Sequence, residues 1–105
     1  MVIEWLKIEV SRELQEKFIQ TDEAIWTATL AKYPGFLGKH VWINPKEPNE
    51  VVLVIHWASL ENWKSIPADV LEETERQFSA QMGKGTYRLV EVKEYQVRKF
   101  AQPKP

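Results

Sequence analysis

The segment Val51-Val52-Leu53-Val54-Ile55 constrains this chain more than any other, because a strand apolar at every position has no face to offer water. An antiparallel sheet with one wet face alternates apolar and polar residues. The strand around this segment, from Glu50 to Trp57, must therefore be covered on both sides. Helices supply one cover, and the rest of the sequence has to supply the other.

Residues 2–10 alternate, with Val2, Leu6, Ile8 and Val10 on one face and Ile3, Trp5, Lys7 and Glu9 on the other, which predicts a first strand. Ser11 offers an N-cap with Glu13 in the first turn, and a helix is expected to about Tyr33, ended by Pro34-Gly35. On it Leu14, Phe18, Ile25, Thr29 and Tyr33 form an apolar stripe. Residues 36–43 read as a second strand, and Asn44-Pro45-Lys46-Glu47-Pro48-Asn49 as the turn into the third. A short helical turn after Ser59 carries Glu61, Asn62 and Trp63; Pro67 starts a longer helix with Leu71, Thr74, Phe78 and Met82 inward and Gly83 as its stop. Residues 87–98 are the fourth strand, with Tyr87, Leu89, Tyr95 and Val97 on one face and Val90 and Val92 on the other.

The order β-α-β-β-α-β predicts an α+β domain of ferredoxin-like plan, with helices on one face of a four-stranded antiparallel sheet. The other face is too apolar to be wet, so a homodimer with two sheets face to face is expected, the long last strand and its tail reaching across. The domain occupies residues 1–100, and residues 101–105 form a C-terminal tail.

Fourteen basic and fifteen acidic residues nearly cancel, which argues against nucleic acid as a partner. Without cysteine there is no disulfide, thiolate catalysis or thiolate metal site. No signal segment or membrane-length apolar run is evident, so the expected location is the cytoplasm, away from membranes. Five tryptophans, Trp5, Trp26, Trp42, Trp57 and Trp63, are unusual in 105 residues; such rings fill cores, anchor interfaces or wall pockets for flat ligands.

Two segments, Tyr33-Pro34-Gly35-Phe36-Leu37-Gly38 and His56-Trp57-Ala58-Ser59-Leu60-Glu61-Asn62-Trp63, resemble the antibiotic-biosynthesis-monooxygenase-like branch of the dimeric α/β-barrel superfamily. The resemblance spans residues 2–98 and extends to uncharacterised cyanobacterial members. It implies the dimeric barrel fold and, as activities, cofactor-independent oxygenation of aromatic polyketides or haem degradation. Of the three haem-degrading determinants only the tryptophan is matched, by Trp63; Glu73 stands near the expected histidine and the first strand has no asparagine. Haem degradation is therefore disfavoured, although a flat ligand such as haem remains compatible.

Asp22 lies in the middle of the first helix's apolar stripe. A carboxylate there is costly unless paired or protonated. It reads either as a general base of raised pKa, working on a phenol, enol or activated C–H, or as a structural acceptor bonded by Trp26, Thr29, Tyr33 or a strand residue. His40 and His56, the only histidines, are each a hydrogen-bonded strand residue or a participant, His56 as a second candidate base and His40 in binding. His56 shares a face with Val52 and Val54, and His40 with Phe36, Gly38 and Trp42. Trp26, Trp42 and Trp63 form a prospective aromatic box with the Tyr33 hydroxyl, or else fill space. No third ligand stands beside the histidines at metal-binding spacing, so neither metal nor cofactor is expected. Lys7 and Glu9 suit salt bridges on the open face or across the dimer, and Glu72-Glu73 with Glu75-Arg76 a solvated helix face. Three functions follow as alternatives: an oxygenase of a small aromatic, a non-catalytic module for a flat aromatic ligand, and a structural dimer with a fully packed interior.

Overall fold

A computed structural model describes residues 1–104. Strands β1 (Val2–Val10), β2 (Phe36–Asn44), β3 (Glu47–Trp57) and β4 (Tyr87–Gln96) form one sheet in the order β2-β3-β1-β4, each neighbour antiparallel. Helical segments α1 (Gln15–Asp22) and α2 (Ala28–Leu30), joined by a π-helical turn (Glu23–Thr27), connect β1 to β2; α3 (Leu60–Lys64) and α4 (Ala68–Met82) connect β3 to β4. This is the ferredoxin-like arrangement. No helix among the described residues is long and apolar enough to cross a membrane. Residues 97–104 have no regular secondary structure, although Val97 N–H donates to the Met1 carbonyl at 2.9 Å; Pro105, the last residue of the expected tail, lies outside the described residues.

The apolar run of β3 divides as its pleat requires. Val51, Leu53, Ile55 and Trp57 face the helices and belong to two adjoining clusters, one around Phe18, Phe78 and Met82, the other around Leu30 and Ile66. Phe18, Phe78 and Tyr87 meet edge-on or tilted, with ring centroids 5.0–5.8 Å apart, an arrangement the aromatic quadrupole favours. On the other face Val52 lies between Lys7 and Trp42, and Val54 between Trp5 and His40. These large cross-strand neighbours bury both valines.

Three local irregularities change the expected faces. The π turn widens the first helix where an α-helix would drift, so Phe18, Asp22, Trp26 and Leu30, four residues apart, follow one inward row. Ile25 and Tyr33 of the expected stripe still pack on the core beside this row, and the helix ends at Leu30. In β2, Phe36 pairs with Trp57 but Gly38 pairs with His56; Leu37 is an extra residue, and Phe36 packs on Trp57 instead of sharing a face with His40. In β4, Lys7 pairs with Glu91 and Ile8 with Leu89, so Val90 is extra. Leu89 and Val92 thereby line the same cavity, whereas Tyr95, opposite Ile3, is on the other face.

The predicted β2–β3 turn is shorter than the proline content suggests, since Glu47 to Asn49 already belong to β3 and Asn44 Oδ1 accepts from Lys46 N–H at 3.0 Å. Ser11 makes no side-chain cap; a 3-10 turn at Arg12–Leu14 starts the helix instead. Ser59 does cap α3, its Oγ accepting from Asn62 N–H at 3.1 Å.

The two segments that carried the family resemblance meet in space. Ala58 N–H donates to the Gly35 carbonyl at 2.8 Å, and the Asn62 side chain presses against the Gly35 backbone. A Cβ at residue 35 would collide with Asn62, and its φ of +88° suits glycine. Glycine here allows the loop before β2 to seat on the start of α3, next to Trp63.

Candidate functional site

Between the helices and the sheet lies a cavity of about 560 Å³ with mostly apolar walls, including Leu6, Leu30, Leu53, Ile55, Trp26 and Trp63. The third expected alternative, a fully packed interior, is therefore not what the chain forms. Polar groups enter at two places. Glu4, Ile55 and Lys39 form one row across β1, β3 and β2, and Asp22 of α1 reaches this row. Glu75 of α4 and Tyr87 of β4 stand at the other place.

Asp22 is 1% exposed, and its Oδ2 accepts from Lys39 Nζ at 2.5 Å, the lysine side chain being 4% exposed. Burial pushes the Asp22 carboxyl above its ordinary pKa, with the Lys39 ammonium pulling it back and Glu23 adding a smaller upward push. Glu4 accepts from Trp57 Nε1 at 3.2 Å. Burial raises its pKa too, opposed first by this hydrogen bond and then by the charges of Lys39 and Lys64. Lys39 thus bonds Asp22 and acts on Glu4 through its charge alone, as Lys64 does, and burial leaves each carboxylate a stronger base than a solvated one.

Glu75 is held by two donors from different elements, Trp26 Nε1 at 3.2 Å and the Tyr87 hydroxyl. Burial first, then the bond to Glu75, pushes the Tyr87 hydroxyl up to about 12. Glu75 stays on the exposed helix face expected for it and, in addition, ties α4 to the π turn and to β4, while Arg76 and Glu73 pair at 2.5 Å.

The predicted site residues divide between the two faces of the sheet. Asp22, Trp26 and Trp63 share the cavity. His56, His40 and Trp42 are on the opposite face, where His56 Nε2 and His40 Nδ1 are 3.3 Å apart and His40 stacks on Trp42. The parity of β2 and β3 puts the whole sheet between them and Asp22, so His56 cannot share a substrate with Asp22 within one chain. Desolvation, then the charge of His40, lowers the His56 pKa. Tyr33 packs on the cluster of Leu30, Ile55 and Trp57 and is not among the lining residues. The three-tryptophan box therefore reduces to Trp26 and Trp63. Lys7 pairs with Glu50 at 3.3 Å and Glu91 at 3.9 Å, and Glu9 with Arg88 at 3.3 Å. Among the described residues no group of three or more His, Asp or Glu side chains is placed to hold a metal ion.

Sequence reasoning missed Lys39, Glu4 and Tyr87. Lys39 shares parity with Val41 and Ile43, and Glu4 stands between Val2 and Leu6 on the apolar face of β1. The alternation already placed these charges inside.

The model of the family described as antibiotic biosynthesis monooxygenase matches residues 1–66. No curated protein matches the chain. Among solved structures, similarity extends to a monooxygenase from the gene ActVA-Orf6 of Streptomyces coelicolor in complex with the ligand Nanaomycin D, with TM-score 0.75, 16% identity, and coverage of 98% of this chain and 92% of that one. SnoaB, a cofactor-independent oxygenase from Streptomyces nogalater, has TM-score 0.65 and 13% identity over 94% of each chain. A conserved protein from Methanosarcina mazei Go1 has TM-score 0.63 and 20% identity over 90% of this chain and 89% of that one. At these identities the likeness establishes the shared fold.

Breaking the buried pair from one side isolates a charge. Lys39→Met is expected to cost about 3–5 kcal/mol in urea unfolding, and Asp22→Leu with Lys39→Met together to recover most of that loss. A loss below about 1 kcal/mol for Lys39→Met would mean that water reaches the pair.

Proposed function

The chain belongs to the antibiotic biosynthesis monooxygenase family, and from that membership we propose that it is a cofactor-independent oxygenase of a small aromatic or polyketide-like compound. The observation that supports this most is the Asp22–Lys39 pair on the wall of a cavity flanked by Trp26 and Trp63. Apolar walls hold a flat ring and keep water out. Asp22 takes the proton of a phenol, enol or activated C–H, and the Lys39 ammonium beside it steadies the anion that forms.

The electron-rich anion then gives electrons to dioxygen, and a C–O bond forms at the carbanion carbon. The peroxide takes a proton, the second C–H proton leaves, and the O–O bond breaks. For a ring methylene the sum is CH2 plus O2 giving C=O plus water, which balances without an outside reductant.

A second reading is favoured by the same pair, because Lys39 already satisfies Asp22 as a structural donor would. In that reading the cavity holds a flat aromatic molecule such as haem without converting it, and ligand quenches tryptophan emission while no product accumulates. We also propose that the chain works as a homodimer through the open sheet face. Trp42 and Tyr95, 51% and 50% exposed, are the anchors this interface needs.

Two measurements check these proposals. With 1,8-dihydroxyanthrone as probe, oxygen uptake and anthraquinone formation should fall about 10²–10⁴-fold in Asp22→Asn, with binding retained; unchanged turnover would remove Asp22 from the mechanism. In sedimentation equilibrium the chain should weigh as two copies and Trp42→Glu as one. A monomeric wild-type chain would contradict the dimer.

A further inference from the structure

The charges on the cavity wall are unequal. Glu4 and Asp22 contribute carboxylates drawn out of water, Glu75 adds an exposed one at the rim, and Lys39 is the only cation among the lining residues. Its ammonium is engaged with Asp22. Lys64 is not in the lining; its Nζ sits 4.1 Å over the ring of Trp63. A ligand entering this space therefore meets more negative charge than positive, between walls that cannot solvate a charge of its own.

The carboxylates also have acceptor capacity to spare. Lys39 Nζ occupies Asp22 Oδ2, and Trp57 Nε1 occupies Glu4 Oε1. Among the described residues no donor reaches Asp22 Oδ1 or Glu4 Oε2. Those oxygens suit O–H donors, since a hydroxyl to a carboxylate makes a short, charge-assisted hydrogen bond. At the far end the Tyr87 hydroxyl and the Trp26 N–H are already committed to Glu75, so that end too offers acceptor oxygen rather than a free donor.

We propose that the cavity selects neutral flat aromatics bearing hydroxyl groups and rejects the same ring systems when they carry a carboxylate. This rests on the reading of the cavity as an aromatic-ligand site and adds a rule of charge to it. An acid would have to draw Lys39 away from Asp22, leaving that carboxylate buried beside the ligand's own. A phenol asks for no such exchange, because it donates to oxygens that Lys39 and Trp57 leave open. The selection also fits the proposed chemistry, in which the ligand arrives neutral and becomes an anion only by giving up its proton inside the cavity.

The test compares two probes with one ring system, 1,8-dihydroxyanthraquinone and its 3-carboxylic acid, by tryptophan emission at pH 7 with wild-type protein. The neutral probe is expected to bind at least about tenfold more tightly. Glu4→Gln keeps an acceptor for Trp57 and removes one wall charge, so it should narrow the ratio severalfold. Equal or tighter binding of the acid would overturn the charge rule while leaving the aromatic site standing. If neither probe quenches, both the rule and the site reading fall. A ratio unchanged in folded Glu4→Gln would overturn the assignment of the selection to the wall carboxylates.

Discussion

An aspartate and a lysine, 2.5 Å apart, are taken out of water together between a helix and a sheet. Neither is tolerable there alone, because an isolated ion in an apolar interior costs several kcal/mol. Their pairing allows α1 to lie on the sheet with a carboxylate in its inward row, and it prevents that end of the interior from closing into a simple apolar core. The cavity follows from this arrangement. Leucine and tryptophan side chains form its walls, and the polar groups remain grouped at two places.

The backbone irregularities serve the same end. The π turn keeps Asp22, Trp26 and Leu30 in one inward row, and Trp26 then reaches Glu75 on α4. Leu37 and Val90 shift β2 and β4, which puts Phe36 on the core and Leu89 with Val92 on the cavity wall. Gly35 lets the loop before β2 dock on Asn62, fixing α3 where Trp63 borders the same space. The π turn and the extra residue of β4 bear directly on the cavity, since Trp26, Leu89 and Val92 line it.

The element order and the double-sided burial of β3 were legible in the sequence because they depend on local period and on unbroken apolar runs. The anomaly of Asp22 was legible for the same reason. Its partner was not named, since Lys39 is on another element and only tertiary packing brings the two together. Alternation also failed where strands bulge, as no residue type announces that Leu37 or Val90 is extra. The aromatic box was misjudged on parity: Trp42 and the two histidines have suitable chemistry but face away. Glu75 is exposed, as its helix face suggested, but its bonds to Trp26 and Tyr87 were not legible because both donors come from other elements.

The claim on which the account depends is that Asp22 and Glu4 are desolvated acids on the wall of an interior space. A carbon-13 NMR titration of their side-chain carboxyls tests it most directly. Both are expected to titrate above ordinary aspartate and glutamate, so that their ionisation opposes folding and stability declines as pH rises through their raised pKa values. Midpoints at or below the ordinary values would show that desolvation does not dominate at either group and contradict the account.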